Sequence, residues 1–266
     1  MGIESTSMIW NGQGPVHIGT YDPVNGRADM GFLVNLYSVG CGNRTLTATP
    51  SRETTTINES CSGQRLALDE METSKSLQVS LEMVQFDSRT LAQAFYGEAV
   101  LKDSGTVTNE QLAKLAPGDY FFLKYPRTSS VVVEDSTAGA PVVYVEGTHY
   151  EASDPDHGRY RLLQHPAAHV EPLKVDYEYA GFVNIAAFSK TNVQKGIIFS
   201  GLNGAGQKVR VIIPRLSLAM SGDFGWITDE ASALTLGGQA LYVPDLQSDP
   251  LFGPFMRIDA MPDLPV

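Results

Sequence analysis

The sequence predicts a mainly β protein: a β-sandwich or barrel flanked by one short α-helix, with a small inserted β module and extended terminal arms. Three observations lead there. Runs rich in Val, Thr, Tyr and Phe alternate with the period of half-buried strands, as in Leu77, Val79, Leu81 and Met83 against Gln78, Ser80 and Glu82. The 25 Gly and 15 Pro supply turns between such runs. One stretch near Asp87 has the start and stop signals of a helix. With 266 residues, 42% of them hydrophobic, the chain is large enough for one big β domain or two modest ones.

Taken in order, residues 1–13 are polar, with Met8, Ile9 and Trp10 as their anchor, and form an expected N-terminal arm. Residues 16–21 and 32–39 read as strands separated by a turn at 22–26, where Asn25-Gly26 favours positive φ. A break at 40–43 precedes a strand beginning at 46–49. Between residues 56 and 76 the chain is dominated by Glu, Ser, Thr and Gly, with Asp69, Glu70 and Glu72 bunched together. It reads as a long polar excursion, a loop or hairpin, whose ordering costs entropy that something must offset. The alternating strand at 77–83 follows. Asp87 is placed to cap the helix, with Phe86 and Leu91 at staple positions. Leu91, Ala94 and Phe95 form its apolar stripe, and Gly97 is expected to end it in the left-handed conformation.

Residues 99–116 are loosely patterned, with a helical turn expected at 109–115. From 117 to 179 the texture changes to short strand-like runs (DYFFLKY, SVVVED, PVVYVEG, RYRLL, LKVDYEYA), which read as an inserted β module. Longer runs return over 180–243: FVNIAAFS, GIIFSGLN, KVRVIIPRLSLAM, FGWITDE and ALTLGGQALYV, with hairpin-like turns at Asn203-Gly204 and Ser221-Gly222. The expected organisation is one β-sandwich domain formed by 1–116 and 180–243, the module at 117–179, and a Pro-rich C-terminal arm at 244–266. Proline keeps that arm out of a central strand, and its Leu251, Phe252, Phe255 and Met256 suit docking on the parent domain or a neighbour.

The net charge of −11 and pI near 4.8 argue against a protein that grips nucleic-acid phosphates. Two cysteines, Cys41 and Cys61, are too few for a disulfide framework and are expected to stay reduced as small packed hydrophobes. The start of the chain does not look like a signal peptide, and no run is long enough for a membrane helix, so a soluble protein made in a cytoplasm is expected.

Motifs for catalysis, metals or cofactors do not emerge, so no enzyme activity and no cofactor are expected. There is no HExxH pair, no GxSxG and no phosphate-binding loop. Asp154, Asp156 and His157 imitate a metal loop but lack its further ligands, and read as a turn. His165 and His169 are four apart, yet Pro166 rules out a shared helix face. The GLNGAG run at 201–206 lies between strands and reads as a hairpin turn.

Residues 42–97 resemble a block of the tail tube proteins (major tail proteins) of long-tailed, non-contractile bacteriophages. The likeness rests on Glu53, Glu59, Ser60, Ser62, Gly63 and Arg65 in ETTTINESCSGQR, then a polar loop, a strand and a capped helix. Two later stretches, PGDYFFLKYPRTSSVVV and VEGTHYEASDPDHGRYRLL, resemble a β module found in phage structural proteins. The resemblance implies hexameric rings stacked into a hollow tube in the virion tail, through which DNA passes without specific binding. It also implies partners: other copies of the chain, and terminator, tape-measure and distal tail proteins. Candidate inter-subunit residues are Glu59, Ser62, Gly63, Gln64, Arg65, Asp69, Glu70 and Glu72 on the excursion. Candidate arm contacts are Trp10, Leu251, Phe252, Phe255 and Met256. The competing readings are another tail component (terminator, connector or baseplate protein) and a carbohydrate-binding β-sandwich module presenting Tyr144, Tyr150 and Tyr160.

Overall fold

A computed structural model describes residues 9–191 and 194–261, so the expectations for residues 1–8 and for Pro262 and Pro265 lie outside the described residues. The chain is mainly β with one short helix. In chain order the elements are β1 (Val16–Tyr21), β2 (Leu33–Ser38), β3 (Asn43–Asn58), β4 (Ala67–Met83), α1 (Ser88–Ala94), β5 (Glu98–Lys102), β6 (Gly105–Gln111), β7 (Tyr120–Phe122), β8 (Thr128–Glu134) and β9 (Val143–Tyr144). There follow β10 (Tyr150–Asp154), β11 (Arg159–Leu162), β12 (Lys174–Tyr179), β13 (Phe182–Ala186), β14 (Lys195–Leu202), β15 (Lys208–Met220), β16 (Leu234–Ala240) and β17 (Arg257–Met261). They fall into two compact units: residues 1–98 with 185–266, and residues 99–184.

Unit 1 is built on an eight-stranded sheet in the order β2-β1-β14-β15-β16-β4-β3, with β17 added beside β15. Val16 and Ile18 of β1 share one apolar cluster with Leu77, Val79, Leu81 and Met83 of β4, although three strands separate them in the sheet. The sheet therefore curls around that cluster. Ile197 and Ile213 point into it, while their neighbours Ile198 and Ile212 face a second cluster with Phe32, Leu33, Val243, Leu246 and Phe252. Strands β14 and β15 are thus buried on both faces, which is why GIIFSGL and VIIPRLSL are nearly continuous apolar runs. Each fully buried aliphatic side chain in such a cluster contributes about 1.5–3 kcal/mol.

The second cluster shows the C-terminal segment docked on the parent domain, one of its two expected places. Leu246 and Phe252 are core residues of unit 1, and β17 pairs with β15 through residues 257–261. Asp259 sits opposite Arg210 and accepts its guanidinium at 2.6 Å, and accepts Arg257 Nε at 2.8 Å. Of the basic residues on β15, Arg210 has its partner there.

Helix α1 keeps the expected N-cap: the Asp87 carboxylate accepts from Thr90 N at 2.8 Å. Its end differs from expectation. Tyr96, at φ +51°, takes the left-handed position, and Gly97 is needed for space, since a Cβ there would lie 2.6 Å from the Ala186 carbonyl oxygen. Gln93 is buried and donates to the Leu218 carbonyl at 2.7 Å, tying the helix to β15.

Two more expectations fail for lack of a pairing partner. FGWITDE lies outside any strand, because the β15–β16 ladder stops at Met220 opposite Leu236. Ser221-Gly222 accordingly opens a long connection instead of a tight hairpin. The cysteines are both free and exposed, contrary to the expectation of packed thiols.

Unit 2 pairs a three-stranded sheet, β10-β11-β7, with a four-stranded one, β6-β12-β8-β9. Phe121, Tyr150, Tyr160 and Leu162 from the first and Val133, Tyr144, Val175 and Tyr177 from the second form one core. The unit is wider than the expected 117–179. Residues 109–111, expected as helix, belong to β6, because β6 pairs with β12 and supplies the edge that closes the sheet. Asp135 is buried at the end of β8. Burial alone would raise its carboxyl, but hydrogen bonds from Thr137 Oγ1 and from the backbone N–H groups of Val142, Thr137 and Val170 outweigh it and bring it to about 2. The chain enters and leaves this unit along β5 and β13, which pair with each other.

Candidate assembly surface

The polar excursion is a β-hairpin. Strands β3 and β4 stay paired from Asn43↔Met83 to Asn58↔Ala67, with bulges near residues 44, 54 and 58. Only the inner half has a core beneath it. Every residue from 47 to 58 on β3 and from 67 to 75 on β4 is exposed. At about 3.4 Å per residue the exposed ribbon reaches on the order of 30 Å. Strand β3 is the last of its sheet, so its outer edge offers unpaired N–H and C=O groups. Pro50 is tolerated there because an edge strand need not donate on that side.

The tip explains the sequence signature. The Glu59 carboxylate accepts from Cys61 N at 2.6 Å, Ser62 N at 2.8 Å, Leu66 N at 3.4 Å and the Ser62 hydroxyl. These donors hold its carboxyl down to about 2, the Ser62 hydroxyl contributing most. Ser62 Oγ in turn accepts from Gln64 N at 3.2 Å. Gly63 and Arg65 take positive φ, +77° and +52°, to turn the chain. Glu53, another signature residue, accepts from Ser74 Oγ at 2.9 Å across the ribbon. The motif is a device for closing and bracing a long hairpin.

Opposite residues on paired strands share a face. Thr55, Met71, Ile57 and Asp69 therefore line one side, and Thr54, Glu72, Thr56 and Glu70 the other. Ile57, Leu66, Leu68 and Met71 are exposed, four large apolar side chains on a ribbon with no core of its own. The bunched acids are only partly neutralised: Glu72 meets Lys75 at 2.7 Å and Arg52 at 3.9 Å, while Asp69 accepts from Glu70 N at 2.8 Å. Exposed pairs of this kind contribute little to stability. At the root of the ribbon, Pro50 and Leu77 face Phe255 and Met256 across an apolar groove of about 440 Å³.

The candidate arm residues divide. Phe252 is core, and Phe255 and Met256 are half-buried against the β4 cluster, so none of the three is free to reach outward. Leu251 and Trp10 are exposed. Residues 9–13 are held on unit 1, where Asn203 Nδ2 donates to the Ile9 carbonyl at 2.9 Å and Gln13 bridges to Leu202. Asn203 also accepts from Ala205 N and Gln207 N, which makes the GLNGAG run the expected turn.

Sequence reasoning missed a second exposed surface of unit 1. Trp226 stacks on Phe95 at 6.1 Å and meets Phe224 edge-on at 4.9 Å, while Ile227 beside it is 98% exposed. Tyr96 and Phe188 stack at 6.0 Å, both exposed. The missed signal was Trp-Ile amid Gly, Asp and Thr, a large apolar pair in turn-forming surroundings.

The remaining motifs resolve quietly. Asp154 caps a short turn and accepts His157 Nδ1 at 2.7 Å, as a turn reading requires. Tyr144, Tyr150 and Tyr160 are buried in the unit 2 core, which removes the aromatic groove expected of a carbohydrate-binding module. Among the described residues no helix is long and apolar enough to cross a membrane.

No curated protein matches the chain. A family model does, across residues 9–259, which takes in both units apart from the ends. The chain therefore belongs to the family described as "Protein of unknown function UCP028589".

Proposed function

We propose that this protein is the structural subunit of a phage tail tube, forming hexameric rings that stack around a bore for DNA. The observation that carries the reading is the exposed half of the β3–β4 hairpin: two long strands with an open edge and four exposed apolar side chains, reaching beyond any core of the subunit. A two-stranded ribbon of that kind is marginal in water alone, and a second surface gives it something to gain. Trp226 with Ile227, and the stacked Tyr96 and Phe188, supply further exposed apolar side chains on the same unit. Two different surfaces are what a head-to-tail contact requires, and such contacts close into rings or continue as filaments. The likeness of residues 42–97 to tail tube proteins supports the same reading.

The acidic balance suits a conduit, since a wall carrying excess negative charge repels phosphates that come within about 8 Å at physiological salt. Other tail components fit the same surfaces, and copy number separates them. Quantitative mass spectrometry of purified particles is expected to place this chain among their most abundant proteins. Finding only one or two rings' worth per particle would overturn the tube reading.

A further inference from the structure

A loop of unit 2 gathers metal-ligating side chains that tube assembly leaves unused. His165, His169 and Glu171 lie on the connection between β11 and β12, and one ligating atom of each is within 4.8 Å of the others. Zinc binds nitrogen and carboxylate oxygen at about 2.0–2.2 Å, so two donors on one ion stand at most about 4.4 Å apart. We propose that His165, His169 and Glu171 form a divalent transition-metal site of the zinc class, with water completing the coordination. Two imidazoles and one carboxylate select such an ion over calcium or magnesium, which prefer all-oxygen shells.

The surroundings pre-position the ligands. Leu115 offers a carbonyl oxygen, which can only accept, at 3.0 Å from His165 Nε2. The proton of the neutral ring is therefore on Nε2, and Nδ1 presents its lone pair, now receiving the Tyr144 hydroxyl at 2.9 Å. An N–H anchored on a backbone carbonyl is the usual outer-shell partner of a metal-bound histidine. Val170, between the other two ligands, is fixed through both its backbone groups: its N–H donates to Asp135 at 2.9 Å, and its carbonyl accepts from Ser136 N at 2.9 Å. Ser136 Oγ also donates to the Pro172 carbonyl at 2.6 Å. The backbone on either side of His169 and Glu171 is thus held without regular secondary structure.

Two movements are needed: the Tyr144 hydroxyl has to leave Nδ1 of His165, and the histidine stack has to open. The His165 and His169 rings are stacked at 4.0 Å, nearly parallel, and an ion binds in the plane of an imidazole. Loading swings His169 out of the stack, and its exposed position leaves no packing to break. Pro166 prevents a helix but does not separate the histidines, because the loop itself brings them together.

The test uses the purified full chain carrying C41S and C61S, since both thiols are exposed and would compete for metal. Zinc titration calorimetry at neutral pH is expected to show one ion per chain, with H169A and E171Q each weakening it about tenfold or more. The cobalt-substituted protein is expected to show nitrogen and oxygen ligation, and H157A to leave affinity unchanged. Absence of saturable one-to-one binding, or affinity indifferent to both H169A and E171Q, would overturn the site. An equal loss in H157A would overturn it too, by placing the ion elsewhere. Neither substituted ligand is a core residue, so both variants remain folded enough to measure. Because the readout is metal binding alone, it stands or falls apart from the tube reading.

Discussion

In its inner half strand β4 buries Leu77, Val79, Leu81 and Met83 in the main core of unit 1. In its outer half the same strand, on the same partner, exposes every residue from 67 to 75. The ladder to β3 runs the whole way; the inner half adds a second ladder to β16, over residues 78–83, and an apolar surface beneath it. A backbone hydrogen bond contributes only about 0.5–1.5 kcal/mol net, because water satisfies the same groups in the unfolded chain. Burial does most to separate the halves. The inner one is domain framework, and the outer one belongs to the low-stability class of segment that binding draws on.

That contrast is open to attack at both ends. The largest effect is expected from removing the outer half: replacing residues 55–71 by Asn-Gly keeps Thr54 opposite Glu72 and closes the ribbon early. Such a chain is expected to unfold at an unchanged midpoint and to form no tubes under electron microscopy. Normal tubes would show the ribbon to be dispensable. Next in size, Leu81→Ala is expected to destabilise unit 1 by about 2–5 kcal/mol in denaturant titration. Met71→Ala on the outer half should stay within about 0.5 kcal/mol in the unassembled subunit. Equal losses for the two would erase the distinction.

The smallest effect is local, at the tip. Glu59 has its carboxyl depressed from an ordinary value near 4.5 to about 2, so its hold on the turn is complete above pH 4.5 and is lost as pH falls through about 2. Protection of the Cys61 and Ser62 amides, corrected for the intrinsic pH dependence of exchange, should therefore fall under acid and in Glu59→Gln, with the global unfolding midpoint unmoved. Exchange unaltered by Glu59→Gln would mean the turn stands without its carboxylate.

Local signals in the sequence were reliable wherever the physics was local. The Asp87 cap, the alternation of 77–83, and the turns at 154–158 and 203–206 all formed where residue chemistry placed them. Expectations failed where a distant partner decided the outcome. Residues 109–111 became strand because β12 lay beside them, and FGWITDE remained a connection because its ladder had ended. The Pro-rich tail offered a further lesson. Its apolar residues did signal docking, but Leu246 and Phe252 docked on their own unit, over Ile198 and Ile212. The candidate assembly surface was half legible: the excursion was visible from its length, the Trp226 patch was not.

By itself, the sequence determined the β class, the single capped helix and the presence of a long polar element before it, since each follows from side-chain period, turn residues or capping chemistry within a few positions. Tertiary structure alone decided that the polar element is a ribbon paired to its end, braced by Glu59. It also decided that the tail closes a second core, and that His165 and His169 meet Glu171 despite the proline between the histidines. Each of those outcomes depends on which distant surface a segment finds, and residue spacing does not encode that.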